Sequence, residues 1–322
     1  PGGGGQRRTD GRASLRGAME KWEEACDDVT GAELQHQRLA QARQDDMEFF
    51  HKMNAYTRCS RACIAEEKGK LIDVRWIDTN KGDTANRNYR SRLVGREFNT
   101  YRDDALYAAT PPLEALRLII SHAAIIRCGS GHGGKWRGDM HRELMINDVS
   151  RAYFYAPATR SLFVELPAED GSAKPGEVGR LNVCLYGTRD AAKEWQHTLS
   201  RHLEGIGFVR GVGYPAAFFH PGRGITTLVH GDDYCSAAPA KSLDWLEGIL
   251  KKRYEIKSQR ITSRAGERGN ETVHEGQVLN RVIRCTPDGY ELEADLRHAE
   301  LIIEQLGMKD AKQVVTPGID TE

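Results

Sequence analysis

The 322-residue chain has 46 basic and 46 acidic side chains, with 39% hydrophobic and 29% charged residues. That balance excludes a disordered chain and predicts a soluble globular protein of two or three subdomains. The longest apolar stretch, residues 116–126, contains Arg117, Ser121 and His122 and is too short and too polar to span a bilayer. Seven scattered cysteines, none paired at zinc spacing, predict free thiols in a reducing compartment.

The chain shows no signal peptide and opens on Pro1, so it reads as a piece of something longer. Residues 1–16 begin PGGGGQRR and form an expected flexible leader. Over 17–56, Leu34, Leu39, Met47, Phe50 and Met53 recur at loose helical spacing, which predicts a helical N-terminal segment extending to residue 69. KLIDVRWID (70–78) then alternates apolar and polar, NKGD (80–83) supplies turn chemistry, and NYRSRLVGREF (88–98) reads as the return strand. PPLEALRLIISHAAIIRCG (111–129) opens with prolines suited to a first helical turn and closes on glycine. GSGHGG (129–134) is a linker.

ELMINDVSRAYFYA (143–156) predicts a buried strand running into a turn, and AAKEWQHTLSRHLEGIG (191–207) an amphipathic helix with Trp195 in its apolar stripe. ITTLVH (225–230) and YCSAA (234–238) are short strands flanking Gly-Asp-Asp, followed by a helix over 240–254. VLNRVIRCTPDGYELEA (278–294) is a hairpin on Pro-Asp-Gly, and 295–307 a helix capped by Asp295. From 143 to 260 the order strand, helix, strand, strand, helix predicts an α+β fold with a split β-α-β antiparallel sheet.

The neutral total hides local charge. Residues 19–50 hold nine acids against three bases, 87–102 five arginines against Glu97, and 251–268 seven bases against two acids. The two basic segments either line one phosphate-binding groove or are solvated faces.

Four Asp-Asp pairs occur, at 27–28, 45–46, 103–104 and 232–233. The first three sit in polar settings, where solvated surface is expected. Asp232 and Asp233 instead occupy a tight turn between apolar strands, and Asp148 ends another buried strand. A split β-α-β layout makes these strands neighbours. Three carboxylates set together raise one another's pKa, and a hard divalent cation relieves that cost. Such sites hold two ions about 3.5–4 Å apart for phosphoryl transfer. The competing reading is a plain hairpin turn beside an unrelated aspartate.

The blocks GKLIDVRWIDTNKGD, NYRSRLVGREF, INDVSRAYFYAP, VCLYGTRDAAKEW, LVHGDDY and VLNRVIRCTPDGYELEADLRHAELIIEQLGM follow one another at orderly spacing. In them the chain resembles the reverse transcriptase domain of copia-type LTR retrotransposons, from about Met47 to Pro317. The resemblance implies an α+β right-hand polymerase: fingers over 70–140, palm over 141–260, and the primer-grip hairpin with the start of the thumb over 261–322. It implies an RNA-directed DNA polymerase that transfers dNTPs to a primer 3′-hydroxyl with two Mg²⁺ or Mn²⁺ ions. Asp148 and Asp232 would be the principal metal ligands, Asp233 the third acid, and the Val149 carbonyl a further ligand. Arg90, Arg92, Arg151, Ala152, Tyr153 and Asp190 fall at nucleotide-binding positions, with Tyr153 excluding a ribose 2′-hydroxyl. Tyr153 could instead be core, and Arg90 and Arg92 solvated strand residues. Val278, Leu279, Asn280 and Arg281 correspond to the primer grip, with Leu279 otherwise core. Implied partners are an RNA or DNA template with its primer, and no membrane. Integrase and ribonuclease H regions would lie elsewhere in the parent polyprotein, in an intracellular particle and the nucleus.

The chain departs from the family at His230 and Gly231, where an aromatic and a small aliphatic residue are usual. It departs again at LYGTRDAAKEW, where Asp190 replaces a glutamine and Ala192 a proline. A carboxylate near triphosphate oxygens weakens nucleotide binding, with Arg151 expected to offset it. Two rivals follow: a catalytically impaired or repurposed nucleic-acid-binding remnant, and an RNA-dependent RNA polymerase, which favours Gly-Asp-Asp but needs room where Tyr153 stands.

Overall fold

The computed structural model describes residues 25–83, 85–97, 111–124, 142–171, 173–263, 266, 272–279, 281–294 and 297–311. The leader, the 129–134 linker, the 103–104 pair, Asn280 and the Asp295 cap lie outside these residues. In chain order the elements begin α1 (His36–Lys52), β1 (Tyr56–Ser60), α2 (Ala62–Glu66), β2 (Lys70–Ile72), β3 (Val74–Asn80), β4 (Tyr89–Gly95) and α3 (Leu113–Ala124). They continue with β5 (Arg142–Val149), a 3₁₀ turn (Ala152–Tyr155), β6 (Leu162–Glu165), β7 (Glu177–Leu181), α4 (Ala191–Gly205), β8 (Val209–Arg210), β9 (Ala217–His220) and β10 (Ile225–His230). The remainder is β11 (Asp233–Pro239), α5 (Ala240–Arg253), β12 (Ile256–Ile261), β13 (Thr272–Val273), β14 (Glu275–Val278), β15 (Arg281–Thr286), β16 (Gly289–Ala294) and α6 (Arg297–Gln305).

The fold mixes helices with several sheets, and the chain divides into two compact units. One is drawn from the described residues within 1–108 and 151–206, the other from those within 109–150 and 207–322. Among the described residues no helix is long and apolar enough to cross a membrane.

The first unit holds a four-stranded sheet of order β1-β7-β6-β2, with only β2–β6 parallel, and the hairpin β3–β4. Its core gathers Phe49 and Phe50 of α1 with Leu93, Phe154, Leu162, Val164 and Leu181. The helix expected over 17–56 spans His36–Lys52 within the described part. Tyr56–Ser60, in the segment expected to be helical, is a strand paired with β7. Its Tyr-Thr-Arg-Cys-Ser run suits a pleated surface better than a helix. Strands β6 and β7 were not anticipated; both are short and lack the polar alternation of a half-exposed strand.

The second unit is built on a seven-stranded sheet of order β13-β12-β5-β11-β10-β9-β8, antiparallel except at β12–β13. Alternation along the strands sends Leu144, Ile146, Leu228, Cys235, Ala237 and Ile261 to one face, where they pack with Leu116, Ile119 and Ile120 of α3. Met145, Tyr234, Ser236 and Ala238 fall on the opposite face and are buried. On that face Arg260 of β12 reaches α5 through Asp244 at 3.0 Å and Glu247 at 2.9 Å. A smaller antiparallel sheet, β14-β15-β16, closes the unit. The helix α4, expected within the 141–260 segment, belongs to the first unit, where Trp195 is buried as core.

Candidate active site

Strands β10 and β11 pair from Thr226–Ala237 to His230–Asp233, so Gly231 and Asp232 alone make the turn. Gly231 has φ +62° while Asp232 is outside the positive-φ set, the sign pattern of a hairpin turn with glycine first. An L-residue at Gly231 would carry a left-handed backbone penalty of about 1–2 kcal/mol. The glycine that departs from the family pattern is therefore matched to this turn.

Strand β11 lies directly beside β5, with Asp233 opposite Asp148. The Val149 N–H donates to the Asp232 carbonyl at 2.9 Å and fastens the turn to β5. The expected proximity of Asp148 to the hairpin tip is what the pairing gives. On the other side of β5, Lys257 is opposite Asp148. Register therefore puts Lys257, Asp148, Asp233 and His230 in one row across four strands. Lys257 appeared in the sequence only as one base of a charged segment; its place in this row depends on strand register.

Burial pushes the Asp233 carboxyl up to about 6, helped by the charges of Asp232 and Asp148. Asp233 is thus close enough to both other carboxylates to feel their charge. Among the described residues, however, no group of three or more His, Cys, Asp or Glu side chains is gathered tightly enough to hold a metal ion. Mg²⁺ is usually held by one or two carboxylates, with waters and substrate phosphates completing its shell. A hard, all-oxygen donor set under mutual repulsion fits that ion in kind without a preformed cage. Val149, the expected carbonyl donor, is fully buried.

In the first unit the structure brings most of the expected nucleotide residues into one cluster. The Tyr153 ring lies 4.4 Å from Tyr186, and the Arg92 guanidinium sits 4.7 Å over the same Tyr186 ring. Arg90 is exposed two residues before Arg92, and Ala152 is buried. Arg151 has a left-handed backbone at φ 53°, and its guanidinium lies 4.1 Å over Phe49 while pairing with Asp46 at 3.1 Å.

Arg151 is thus not the counter-charge of Asp190. That role belongs to Arg160, which donates to the two Asp190 oxygens at 2.8 and 2.5 Å and to Glu97 at 3.0 and 2.9 Å. Burial alone would raise the Glu97 pKa, but Arg160, the Arg189 N–H and Lys70 hold it at about 2.

Sequence reasoning assigns no role to Tyr186, Arg160 or Asp46. Tyr186 and Arg160 come into place only through tertiary contacts. Asp46 did carry a signal, because it falls on the Leu39–Ala42–Phe49–Phe50 stripe of α1. Nor are the 27–28 and 45–46 pairs wholly surface, since Asp27 and Asp46 are buried. Three backbone N–H groups hold Asp27 near pH 2.

Of the primer-grip residues, Val278 is buried and opposite Arg281 across β14–β15. Leu279 turns the chain between them at φ +50° and packs on the sheet core. The basic segment 251–268 loses Arg260 as a phosphate contact, since its side chain is 3% exposed and paired with Glu143, Asp244 and Glu247.

No family model matches the chain. Over 292 residues, 87% of its length, it is 23% identical to the retrovirus-related Pol polyprotein from transposon TNT 1-94 of Nicotiana tabacum. Over 256 residues, 77% of its length, it is 25% identical to the corresponding polyprotein from transposon RE2 of Arabidopsis thaliana. The chain is similar to retrotransposon Pol polyproteins. That is the likeness its motif blocks led one to expect. The chain spans 20% and 16% of the length of these two relatives. Among solved structures, a foamy viral protease–reverse transcriptase in complex with double-stranded DNA aligns with TM-score 0.41 and 11% identity, over 80% of this chain and 36% of that one. A Candida tropicalis telomerase aligns with TM-score 0.39 and 9% identity, over 83% of this chain and 63% of that one.

Proposed function

We propose that the chain is the RNA-directed DNA polymerase domain of a retrotransposon polyprotein, with fingers, palm and the start of a thumb. The observation that carries this is the pairing of Asp148 with Asp233 beside the Asp232 turn, in a chain similar to transposon Pol polyproteins. Asp148 and Asp232, with Asp233 and the Val149 carbonyl beside them, would hold Mg²⁺ or Mn²⁺. Ions bound there lower the pKa of an attacking hydroxyl and neutralise charge on the leaving oxygen. The β5–β11 pairing and the Val149 N–H fix the carboxylates in place before substrate arrives. Arg90 and Arg92 would supply positive charge for the triphosphate of a dNTP, and the Tyr153 ring, tilted against Tyr186, would fill the space a 2′-hydroxyl needs. Val278, Leu279, Asn280 and Arg281 would contact the primer end, and template contacts would be sequence-tolerant.

The rival reading of a binding remnant rests on the altered nucleotide pocket, in which the Asp190 carboxylate stands, and on the balanced net charge. With Arg160 on both oxygens of that carboxylate, the repulsion it would exert on a nucleotide is largely cancelled. The test is extension of a DNA primer on an RNA template with dNTPs and Mg²⁺ or Mn²⁺. The polymerase reading expects extension that chelation abolishes. Binding of the primer–template with no extension in either metal would sink it and favour the remnant.

A further inference from the structure

One buried carboxylate of the first unit has no part in the chemistry above. Asp46 is 2% exposed, on the face of α1 that packs Leu39, Phe49 and Phe50 into the core. One of its oxygens accepts the Leu93 N–H of β4 at 3.0 Å. The other takes two nitrogens of the Arg151 guanidinium, each at 3.1 Å. Burial pushes the Asp46 carboxyl up, while the Leu93 N–H and Arg151 oppose that shift.

The two segments meeting at this carboxylate are those to which nucleotide contacts were assigned. Strand β4 carries Arg90 and Arg92. The turn after β5 carries Arg151, Ala152 and Tyr153. Arg151 enters that turn with a left-handed backbone at φ 53°, a conformation that costs a non-glycine residue about 1–2 kcal/mol and persists only where its surroundings impose it. Phe49, one turn along α1, stacks on the Arg151 guanidinium and meets Phe154 edge-on at 5.6 Å. The tie therefore sets the distance between Arg92 and Tyr153, which also share the Tyr186 ring.

We propose that Asp46 is a positioning residue of the nucleotide site, holding the arginine-bearing strand β4 against the Arg151–Tyr153 turn. The proposal rests on the polymerase reading. It adds to that reading a residue that touches no substrate and acts through Leu93 and Arg151. Asp46→Asn keeps an acceptor for the Leu93 N–H but removes the charge that orients Arg151, so the two segments separate slightly. Misplacement of this kind far from the reacting atoms is costly to substrate binding.

The experiment is calorimetric titration of dTTP into the protein with Mg²⁺ and a poly(rA) template carrying a dideoxy-terminated oligo(dT) primer, so that no chemistry intervenes. Asp46→Asn is expected to weaken dTTP binding roughly tenfold, and Asp46→Glu to return it to within about threefold of wild type. Leu39→Ala, a buried change on the same helix, is expected to lower the melting temperature without changing dTTP affinity. Wild-type affinity in Asp46→Asn, or an equal loss of affinity in Leu39→Ala, would overturn the positioning role and leave the polymerase reading intact. If the wild-type protein binds no dTTP at all, both are overturned.

Discussion

Asp190 carries a charge that would repel a triphosphate if it stood alone, yet Arg160 engages both of its oxygens and joins them to Glu97. The sequence shows the substitution but not its partner, which is 30 residues away and reaches it only in the fold. The Glu97 end of this network has a measurable consequence. Its carboxyl is held at about 2, below the usual 4.5. A carboxyl with a lower pKa folded than unfolded contributes stability above the unfolded value and gives it up as pH falls through the folded one. Wild-type stability in urea should therefore decline between about pH 4.5 and pH 2. Glu97→Gln should show a shallower decline. Parallel pH profiles for the two proteins would contradict the network as drawn.

At the scale of elements, periodicity located the helices α3, α4 and α5 and the hairpin strands β10 and β11 well, but placed the start of α1 well before His36. Each has an uninterrupted apolar stripe or a clear turn residue. It failed at β1, β6 and β7, where strands of four or five residues carry too few positions to show a period. It also counted Arg260 among groove bases. That side chain instead joins β12 to β5 and α5 through Glu143, Asp244 and Glu247, at 3.4, 3.0 and 2.9 Å. Removing it would leave buried Glu143 without its cation. Arg260→Ala should cost about 3–5 kcal/mol in urea unfolding of the second unit. A loss below about 1 kcal/mol, the range of a surface pair, would mean that the cluster is solvated in solution.

For the whole molecule, the motif blocks announced a likeness that the curated relatives bear out, and the carboxylates proved to be strand neighbours. What stayed illegible was register. One residue of slip would have turned Asp148 to the opposite face of the sheet, and nothing in INDVSRAYF states which partner residue it meets. The same holds for Lys257, and for Asp46, whose meaning depends on two segments about 50 and 100 residues away.

With Asp148 and Asp232 proposed as the nucleotidyl-transfer centre, the decisive measurement is single-turnover incorporation of dTTP on a poly(rA)·oligo(dT) substrate. Asp148→Asn and Asp232→Asn should each lower the rate by roughly a thousandfold or more while substrate binding persists. Asp45→Asn, a change in an exposed aspartate of another Asp-Asp pair, should leave the rate unchanged. Incorporation by either Asp148→Asn or Asp232→Asn at the wild-type rate would rule these carboxylates out as the metal-binding pair.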